Sequence, residues 1–545
     1  MNFKKKYFLA LLPIFLFALV LSGCGSSTEK DDKNTLSISS SDVIATMDSS
    51  MNTDVIGAQG LTDTMEGLYR FDGKTLKPAI AKKIVKPTNN GKTYTFDMRH
   101  TKWSNGKPVT AQDFVYAWRR TVDPKTASQY AYIYTGIKNA DAINAGKKPV
   151  NTLGVKALGK YKLQVTLEDP IPYFNKLMGN STFYPQYKPA VEKAGKQYGL
   201  KSAGMVFNGP FMLKNWSVSD NSWTEVKNNK YWNAKAVKLH QVKYYVVKDN
   251  NTGLNLYDAN RINRLQKISG DTARQVSTYK TFSNDKMASN FYLEFNQKKY
   301  KFFKNAKIRQ AISMSINREQ LTDNVLGKTG GVERTIVPSG MSYAPKNNVD
   351  FTKEPELKSV SKYTEYNPKL AAKLWKEGIK ETGQKDLSFT LLGDDTDGAK
   401  KQNEYIQGQL QKNLPGLKLT LQNVPFKSRL DKSTSGNFDI VVTGWNADYP
   451  DPVTFLDIFT TGNPQNNGKY SNPEYDALIK KSKTTDANNE DARWEDLVQA
   501  AKILAQDSGA VPLYQYYQAN LTRENVKNYR ISPNGSYNLV TVYKK

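Results

Sequence analysis

The 545-residue sequence predicts a mixed α/β fold of two or three domains, and three observations carry that reading. The length exceeds what one hydrophobic core supports. Strand-like runs of period two alternate with helix-like runs of period 3.6 along the chain, without a fixed-length repeat. No long low-complexity linker separates these runs, so the lobes are formed by a chain that crosses between them.

The elements follow in order. Lys4, Lys5 and Lys6 form a charged start, and "YFLALLPIFLFALVL" is the apolar stretch of a signal peptide covering residues 1–23. It ends in "LSGC", and Cys24 is the one cysteine of the protein. Leu, two small residues and Cys resemble the bacterial lipobox, in which the thiol receives a diacylglyceryl group and becomes the mature N-terminus. Two acyl chains give stable anchoring where one is marginal. Residues 24–34 are polar and Gly/Ser-rich, as a flexible tether is. "TLSISSSDV" (35–43) and "KTYTFDMRH" (92–100) read as strands. "TAQDFVYAWRRTV" (110–122) reads as a helix opened by Thr110, with Asp113 placed for a near capping box. Residues 161–170 and 240–249 are strand-like, and residues 208–232 form a hairpin. After the strand 290–296 comes one long helix over 305–326, then a helix over 367–378 that stops at Gly378. Residues 387–394, 404–414, 418–424 and 438–444 alternate as β-α-β-like units. A helix over 491–509 and a strand over 511–520 close the body.

Composition excludes several chemistries. The formal net charge is +27, and loss of residues 1–23 removes three lysines and no acid. The basic residues are spread along the chain and are mostly Lys, whereas base readers cluster Arg forks; a basic surface facing an anionic envelope is expected, not nucleic acid. One cysteine, spent at the lipobox, leaves no disulfide, thiolate metal site or Cys nucleophile. The two histidines, His100 and His240, sit in strand-like contexts that read as exposed or hydrogen-bonded. G-x-S-x-G and H-E-x-x-H are absent. Three Gly-Lys-Thr triplets, at 73–75, 91–93 and 327–329, carry Leu68, Lys86 and Thr322 where a P-loop needs glycine. "GDDTDG" (393–398) misses the EF-hand phase and reads as a solvated turn. A carboxylate pair of the glycosidase kind is not excluded by spacing, because such pairs meet only in three dimensions. The expectation is a protein that is not an enzyme and has no cofactor and no metal site.

The stretch "GWNADYPDP" (444–452) stands where an extended run meets a helix start. Asp451 before Pro452, followed by apolar Val453, Leu456, Ile458 and Phe459, has the form of an N-cap with Pro at N1. Asp448 has no such duty, and is either a turn residue or a group facing a ligand. Trp445 by itself reads as core more readily than as the wall of a pocket.

Six stretches, in family order, make the chain resemble the extracellular oligopeptide-binding proteins of bacterial ABC importers, a family that also holds dipeptide- and nickel-binding members. They are "WSNGKPVTAQDFVYAWRRTVDPKTASQYA" (103–131), "VTLEDPIPYF" (165–174), "NGPFMLKNW" (208–216), "YWNAKAV" (231–237), "NAKIRQAISMSINREQL" (305–321) and "FDIVVTGWNADYPDPVTFLDIF" (438–459). The resemblance implies a two-lobed clamshell of the periplasmic-binding-protein-like type II (cluster C) class, with an additional domain inserted in the first lobe. Lobe I would comprise 35–82, 201–282 and 511–545, the additional domain 83–200, and lobe II 283–510.

It also implies a lipid-anchored receptor on the extracellular face of a Gram-positive cell membrane, held through Cys24. Such a receptor, expected as a monomer, would capture oligopeptides with a free N-terminal amine and pass them to ABC transporter permease subunits. By the resemblance, Asp448 of "WNAD" would pair with the ligand's α-ammonium. Trp445 would wall the adjacent side-chain pocket, and Tyr130 would contact the ligand near its N-terminal end. Main chain near Val43, along 444–447 with Asn446 and Ala447, and along the strand of Tyr514 and Tyr516 would hold the peptide as an added strand. Backbone pairing is blind to side chains, so broad specificity is expected.

Two departures stand out. "YDANRINRLQKISGD" (257–271) is basic at Arg261 and Arg264, with Asn263 between them, where relatives carry Gly and an acid. This is either a plain surface change or a preference for acidic peptides. Val442 stands where some relatives place Arg, and no dedicated carboxylate anchor for the peptide C-terminus carries over. The alternative function is a receptor of the same fold for a dedicated ligand: a signalling peptide, haem or a metal chelate.

Overall fold

A computed structural model describes residues 33–545; the signal peptide, Cys24 and most of the tether lie outside the described residues. The centre of the molecule is an eleven-stranded mixed sheet. In chain order its strands are β1 (Thr35–Ser40), β2 (Phe211–Lys214), β3 (Ser222–Lys227), β4 (Gln241–Val246), β5 (Arg264–Ile268) and β6 (Phe282–Phe295). They continue with β7 (Gly330–Val332), β8 (Ser388–Asp394), β9 (Lys418–Val424), β10 (Ile440–Asn446) and β11 (Val511–Thr522). The spatial order is β9-β8-β10-β6-β11-β5-β1-β4-β3-β2, with β7 paired to β11 off this path.

Two long strands join the halves of that sheet. β6 has 14 residues and β11 has 12, and they run antiparallel with register shifts between Lys286 and Asn290 and between Phe291 and Tyr292. The far edge of β6 pairs with β10 from Ser289 to Phe295, while β11 reaches β5 through Ala519–Thr522. Each half has a parallel core, β1 with β4 and β8 with β9 and β10, which requires crossovers and explains the α/β alternation of the sequence. One lobe is built on each half. The β8–β10 half has its own apolar cluster, with Phe302, Phe303, Trp375, Phe389 and Leu410 at its centre. A separate three-stranded sheet of Thr93–Asp97, Lys162–Thr166 and Val155–Gly159 carries the helix Ala111–Val122. That helix opens as expected: the Asp113 carboxylate accepts from the Thr110 N–H at 2.7 Å.

Several local expectations change. The predicted single helix over 305–326 breaks after Met314, and a new turn begins at Arg318 with Asn317 accepting from the Gln320 N–H at 3.0 Å. Arg318 fills the break, donating to the carbonyls of Pro512 at 2.8 Å, Ser313 at 3.0 Å and Thr364 at 2.6 Å. The helix predicted to end at Gly378 runs on to Thr382 and stops at the left-handed Gly383. Gly378 is instead a packing position, since a Cβ there would lie 2.5 Å from Ile308 Cδ1 of the crossing helix Ala306–Met314. "GDDTDG" is not a solvated turn: Asp394 pairs with Arg429 at 3.0 Å and Asp395 with Lys248 at 2.9 Å. The basic stretch 257–271 is not a plain surface either. Arg261 is exposed, but Arg264 is buried with its guanidinium 4.3 Å over the Tyr529 ring.

The glycine of "NGPF" has a steric cause. A Cβ at Gly209 would fall 2.4 Å from the Thr64 carbonyl carbon and 2.5 Å from the Met65 nitrogen, both rigid backbone at the end of the helix Val55–Thr64. Gly209→Ala is expected to destabilise the protein by about 1–3 kcal/mol, the range for overpacking a filled site. Gly408→Ala, in an exposed helical position with nothing near its Cβ, is expected to stabilise by about 0.5–1 kcal/mol. Urea-denaturation midpoints of the two variants check the pair, and equal effects would contradict the backbone clash.

Candidate functional site

A cavity of 420 Å³ lies where the two halves of the sheet face each other. One side comes from Ser40–Asp42 at the end of β1, Asp54 and Gln59 of the helix Val55–Thr64 and its cap, and Gln266 and Lys267 of β5. The other side comes from Asp394, Arg429, and residues 442–448 at the end of β10. Tyr130, Asn180, Tyr514 and Tyr516 complete the wall.

β10 delivers the end of "VVTGWNAD" to this cavity. Its alternation sends Ile440 and Val442 into the apolar cluster, and the chain then leaves the sheet at Asn446. The Ala447 N–H still donates to the Ala288 carbonyl at 2.9 Å, which holds the departing chain against β6. Asn446 is clamped between Ser289, whose hydroxyl is 2.5 Å from Oδ1, and the Asn534 carbonyl, which accepts from Nδ2 at 2.9 Å. Asp448 is thereby set on a fixed backbone, and its own N–H donates to Thr454 Oγ1 at 3.1 Å.

The partners of the Asp448 carboxylate are neutral and distant. Oδ1 accepts from Asn180 at 3.2 Å and from the Tyr130 hydroxyl at 3.5 Å, and Oδ2 from the Thr454 hydroxyl at 3.4 Å. Among the described residues no Lys, Arg or His comes within ion-pair distance of it. Burial pushes its pKa up to about 7, and the Thr454, Asn180 and Tyr130 hydrogen bonds only partly oppose this. Neighbouring Asp451 is the contrast. It accepts from the Val453 N–H at 3.0 Å, as the expected cap does, and also forms a two-pronged pair with Arg493 at 2.9 and 2.7 Å.

The other predicted residues divide. Trp445 and Tyr130 line the cavity together, their rings stacked with centroids 6.1 Å apart and planes at 13°. Asn446 and Ala447 line it through the chain just described. Tyr516 lines it beside Phe291. Tyr514 reaches the wall but is nearly all buried, stacking on Phe291 at 5.0 Å and donating its hydroxyl to Gln402 Oε1 at 2.6 Å. Val43 lies just beyond the lining segment Ser40–Asp42, and its N–H is taken by the Asp42 carboxylate at 2.8 Å.

Sequence reasoning missed several groups here. Asn180 and Thr454 hold Asp448. Thr454 stood six residues away in a stretch already singled out, whereas Asn180 carries no local signal. Asp42 and Lys248 were also unforeseen. Lys248 bridges Asp42 at 3.2 Å and Asp395 at 2.9 Å, and Asp42 accepts the Phe426 N–H at 3.1 Å, so one charged cluster ties the two sides at the cavity edge. Next to Asp448 in the chain, Tyr449 stacks on Tyr173 at 4.4 Å with planes at 6°. The Gln129 carbonyl accepts from Gln465 at 3.2 Å.

The raised pKa of Asp448 has a consequence for the empty protein. A carboxyl held near 7 when folded and near its ordinary 3.8 when unfolded keeps a proton that the unfolded chain has lost. Its stabilisation is full below about pH 4 and is lost as pH rises through about 7. Thermal unfolding without ligand should therefore show a midpoint that falls between pH 5 and pH 8. Asp448→Asn should flatten this fall and raise the midpoint at pH 8. An identical slope in the variant would show that Asp448 does not hold the proton.

Comparison with known proteins places this geometry. Residues 75–467 match the family model described as "Bacterial extracellular solute-binding proteins, family 5 Middle". The dipeptide-binding protein of Lactococcus lactis subsp. cremoris is 34% identical over 528 residues, covering 94% of each chain. The solved structure of Listeria monocytogenes OppA bound to peptide is 40% identical and superposes with a TM-score of 0.89, over 94% of this chain and 99% of that one. The murein tripeptide-binding protein MppA of Escherichia coli gives 0.85 at 28% identity, over 94% and 99%. The unliganded open form of MppA gives only 0.61 at the same 28% identity, over 94% and 98%. The arrangement seen here is thus far from the open one, in keeping with the contacts that shut the cavity edges. The fold is the two-lobed type II architecture of these structures, and the chain belongs to the family 5 bacterial extracellular solute-binding proteins.

Proposed function

We propose that this chain is an oligopeptide receptor that captures peptides by their free α-amino group and delivers them to an ABC importer. The observation that carries the reading is the Asp448 carboxylate, set on a rigid backbone in a closed cavity with only long, neutral hydrogen bonds. An ammonium brings three donors and one positive charge, which match what that carboxylate lacks. Trp445 and Tyr130, stacked beside it, supply an apolar and cation-tolerant wall for the first residue of the ligand. The relatives include a dipeptide-binding and an oligopeptide-binding protein, which supports the ligand class.

The lipobox-like "LSGC" supports the anchor, and the resemblance to the family supports the lobe bounds and the permease partner. Cys24 carries the lipid that holds the receptor at the extracellular face of the membrane, and the receptor works as a monomer with the permease subunits. Lobe I is assigned to 35–82, 201–282 and 511–545, the additional domain to 83–200 and lobe II to 283–510. The peptide lies as an added strand against main chain of 444–447 and of β11, and β6 and β11 flex on closure. A receptor for one dedicated ligand remains the second reading, and the same experiment separates the two.

Native mass spectrometry of a soluble form beginning after Cys24, mixed with a random peptide pool, should show a ladder of bound masses. N-acetylation of the pool and Asp448→Asn should each reduce occupancy by about 100-fold or more, since breaking one side of a buried charge pair costs about 3–5 kcal/mol. One discrete co-purified mass would favour a dedicated ligand. Equal binding of acetylated and free pools would overturn the amine anchor.

A further inference from the structure

The cavity also holds a basic group, Lys267, that like Asp448 has no ion-pair partner in contact among the described residues. Lys267 lies in β5, where the pairing with β11 shifts between Gln266 and Ile268. It is the extra residue of that irregularity and has no partner on β11. Its φ is +61°, a left-handed backbone that a lysine adopts only at a cost. The distortion is held from the other side by β1. The Gln266 N–H donates to Ser39 Oγ at 3.0 Å, and its Nε2 donates to the Ser39 carbonyl at 2.7 Å. A regular strand would keep Lys267 in register with β11; the bulge re-aims it, and it lines the cavity.

There its ammonium has one contact, with Ser41 Oγ at 3.4 Å. Among the described residues no carboxylate lies within ion-pair distance of it. The acids that act on it from further away are Asp54 and Asp394; Asp394 has an ion-pair partner of its own, whereas Asp54 has only neutral hydrogen bonds and attracts Lys267 without touching it. Asp54 accepts from the Ile56 and Gly57 N–H groups, each at 2.8 Å, as the cap of the helix Val55–Thr64. Asp394 is paired with Arg429 at 3.0 Å. Burial lowers the Lys267 pKa and the more distant Asp54 and Asp394 oppose this only in part, the expected response of a cation that has lost water with no anion in contact. A surface lysine needs neither a bulge nor a cavity, whereas a lysine positioned for a ligand needs both.

We infer that Lys267 binds a carboxylate of the captured ligand, so that the cavity selects peptides carrying both a free amine for Asp448 and an anionic group for Lys267. This inference rests on the peptide reading above and narrows it. The carboxylate has two sources, an Asp or Glu side chain or the peptide C-terminus. Lys267 also adds to what the basic stretch 257–271 does, because the residue that reaches the cavity is neither Arg261 nor Arg264.

The test is calorimetric titration of the soluble form beginning after Cys24. Alanine-based peptides of four to eight residues, all with a free amine, carry one Asp or its Asn counterpart at each position in turn, with a free or amidated C-terminus. An acidic side chain at one position, or the free C-terminus at one length, should improve affinity by about 10-fold over its neutral counterpart, the effect of a charge-assisted hydrogen bond. Lys267→Met should bring that ratio to about one, and Lys267→Arg should restore part of it; thermal unfolding shows that both variants are folded. A side-chain effect that persists in amidated peptides identifies acidic residues as the ligand, and an effect seen only with free C-termini identifies the terminus. A ratio near one at every position and length in the unmodified protein overturns the inference. So does a ratio that Lys267→Met leaves unchanged, which would make the lysine a distant balance for Asp54 and Asp394. If neutral amidated peptides bind while the ratio is one, only this inference fails. If no peptide binds, the peptide reading itself fails.

Discussion

The pairing of β6 with β11 is the constraint on which the rest of the structure depends. Each half of the sheet has its own parallel core and crossovers, and these two long antiparallel strands carry the backbone hydrogen bonds from one half to the other. Their register slips near Lys286–Asn290 and Phe291–Tyr292, next to the cavity. A ladder with missing rungs resists bending less than a continuous one, so the irregular part of the joint coincides with the space that has to open for a ligand. The same strands set the walls: β6 holds Ala447 and Asn446, and β11 carries Tyr514 and Tyr516.

Charge and ring contacts add to the apolar cluster that runs between the two sides. Asp42, Lys248 and Asp395 meet at the cavity edge, and Tyr173 stacks on Tyr449, the residue after Asp448. Small polar and aromatic contacts of this kind are each modest, which suits an interface that must form and release. Inside, the chemistry reverses. Asp448 and Lys267 stand without ion pairs in contact, and a charged group partly withdrawn from water and left unpaired is costly. A ligand that supplies the missing partners stabilises the closed form by the amount the empty form forgoes, which couples recognition to closure.

How much of this was legible depended on the range of the signal. Strand alternation at 35–40, 93–97 and 241–246 was plain because it repeats every second residue. The cap at Thr110 and Asp113 was legible because both partners lie within one turn. The helix over 305–326 was misread because its break is filled by Arg318, whose acceptors include carbonyls of Thr364 and Pro512, far along the chain. Gly378 was misread for a similar reason: a glycine that ends a helix and one that admits a neighbouring helix look alike until Ile308 is in place. At the site, Asp448, Trp445 and Tyr130 stood in recognisable motifs. Asn180 and Lys267 did not, and Lys267 sat in a stretch whose basic character suggested a solvated face.

The sequence by itself determined what local periodicity and short motifs encode: the α/β class, the crossing chain, and the acidic residue after "WNA". Tertiary structure alone decided which charges are answered. Asp451 and Asp448 are three residues apart, yet one is neutralised by Arg493 and the other is left open, because only folding brings a guanidinium to the first and none to the second. In the same way a one-residue slip between β5 and β11 turned Lys267 into the cavity. Charge balance in a buried space is a sum over residues distant in sequence, and no local pattern contains it.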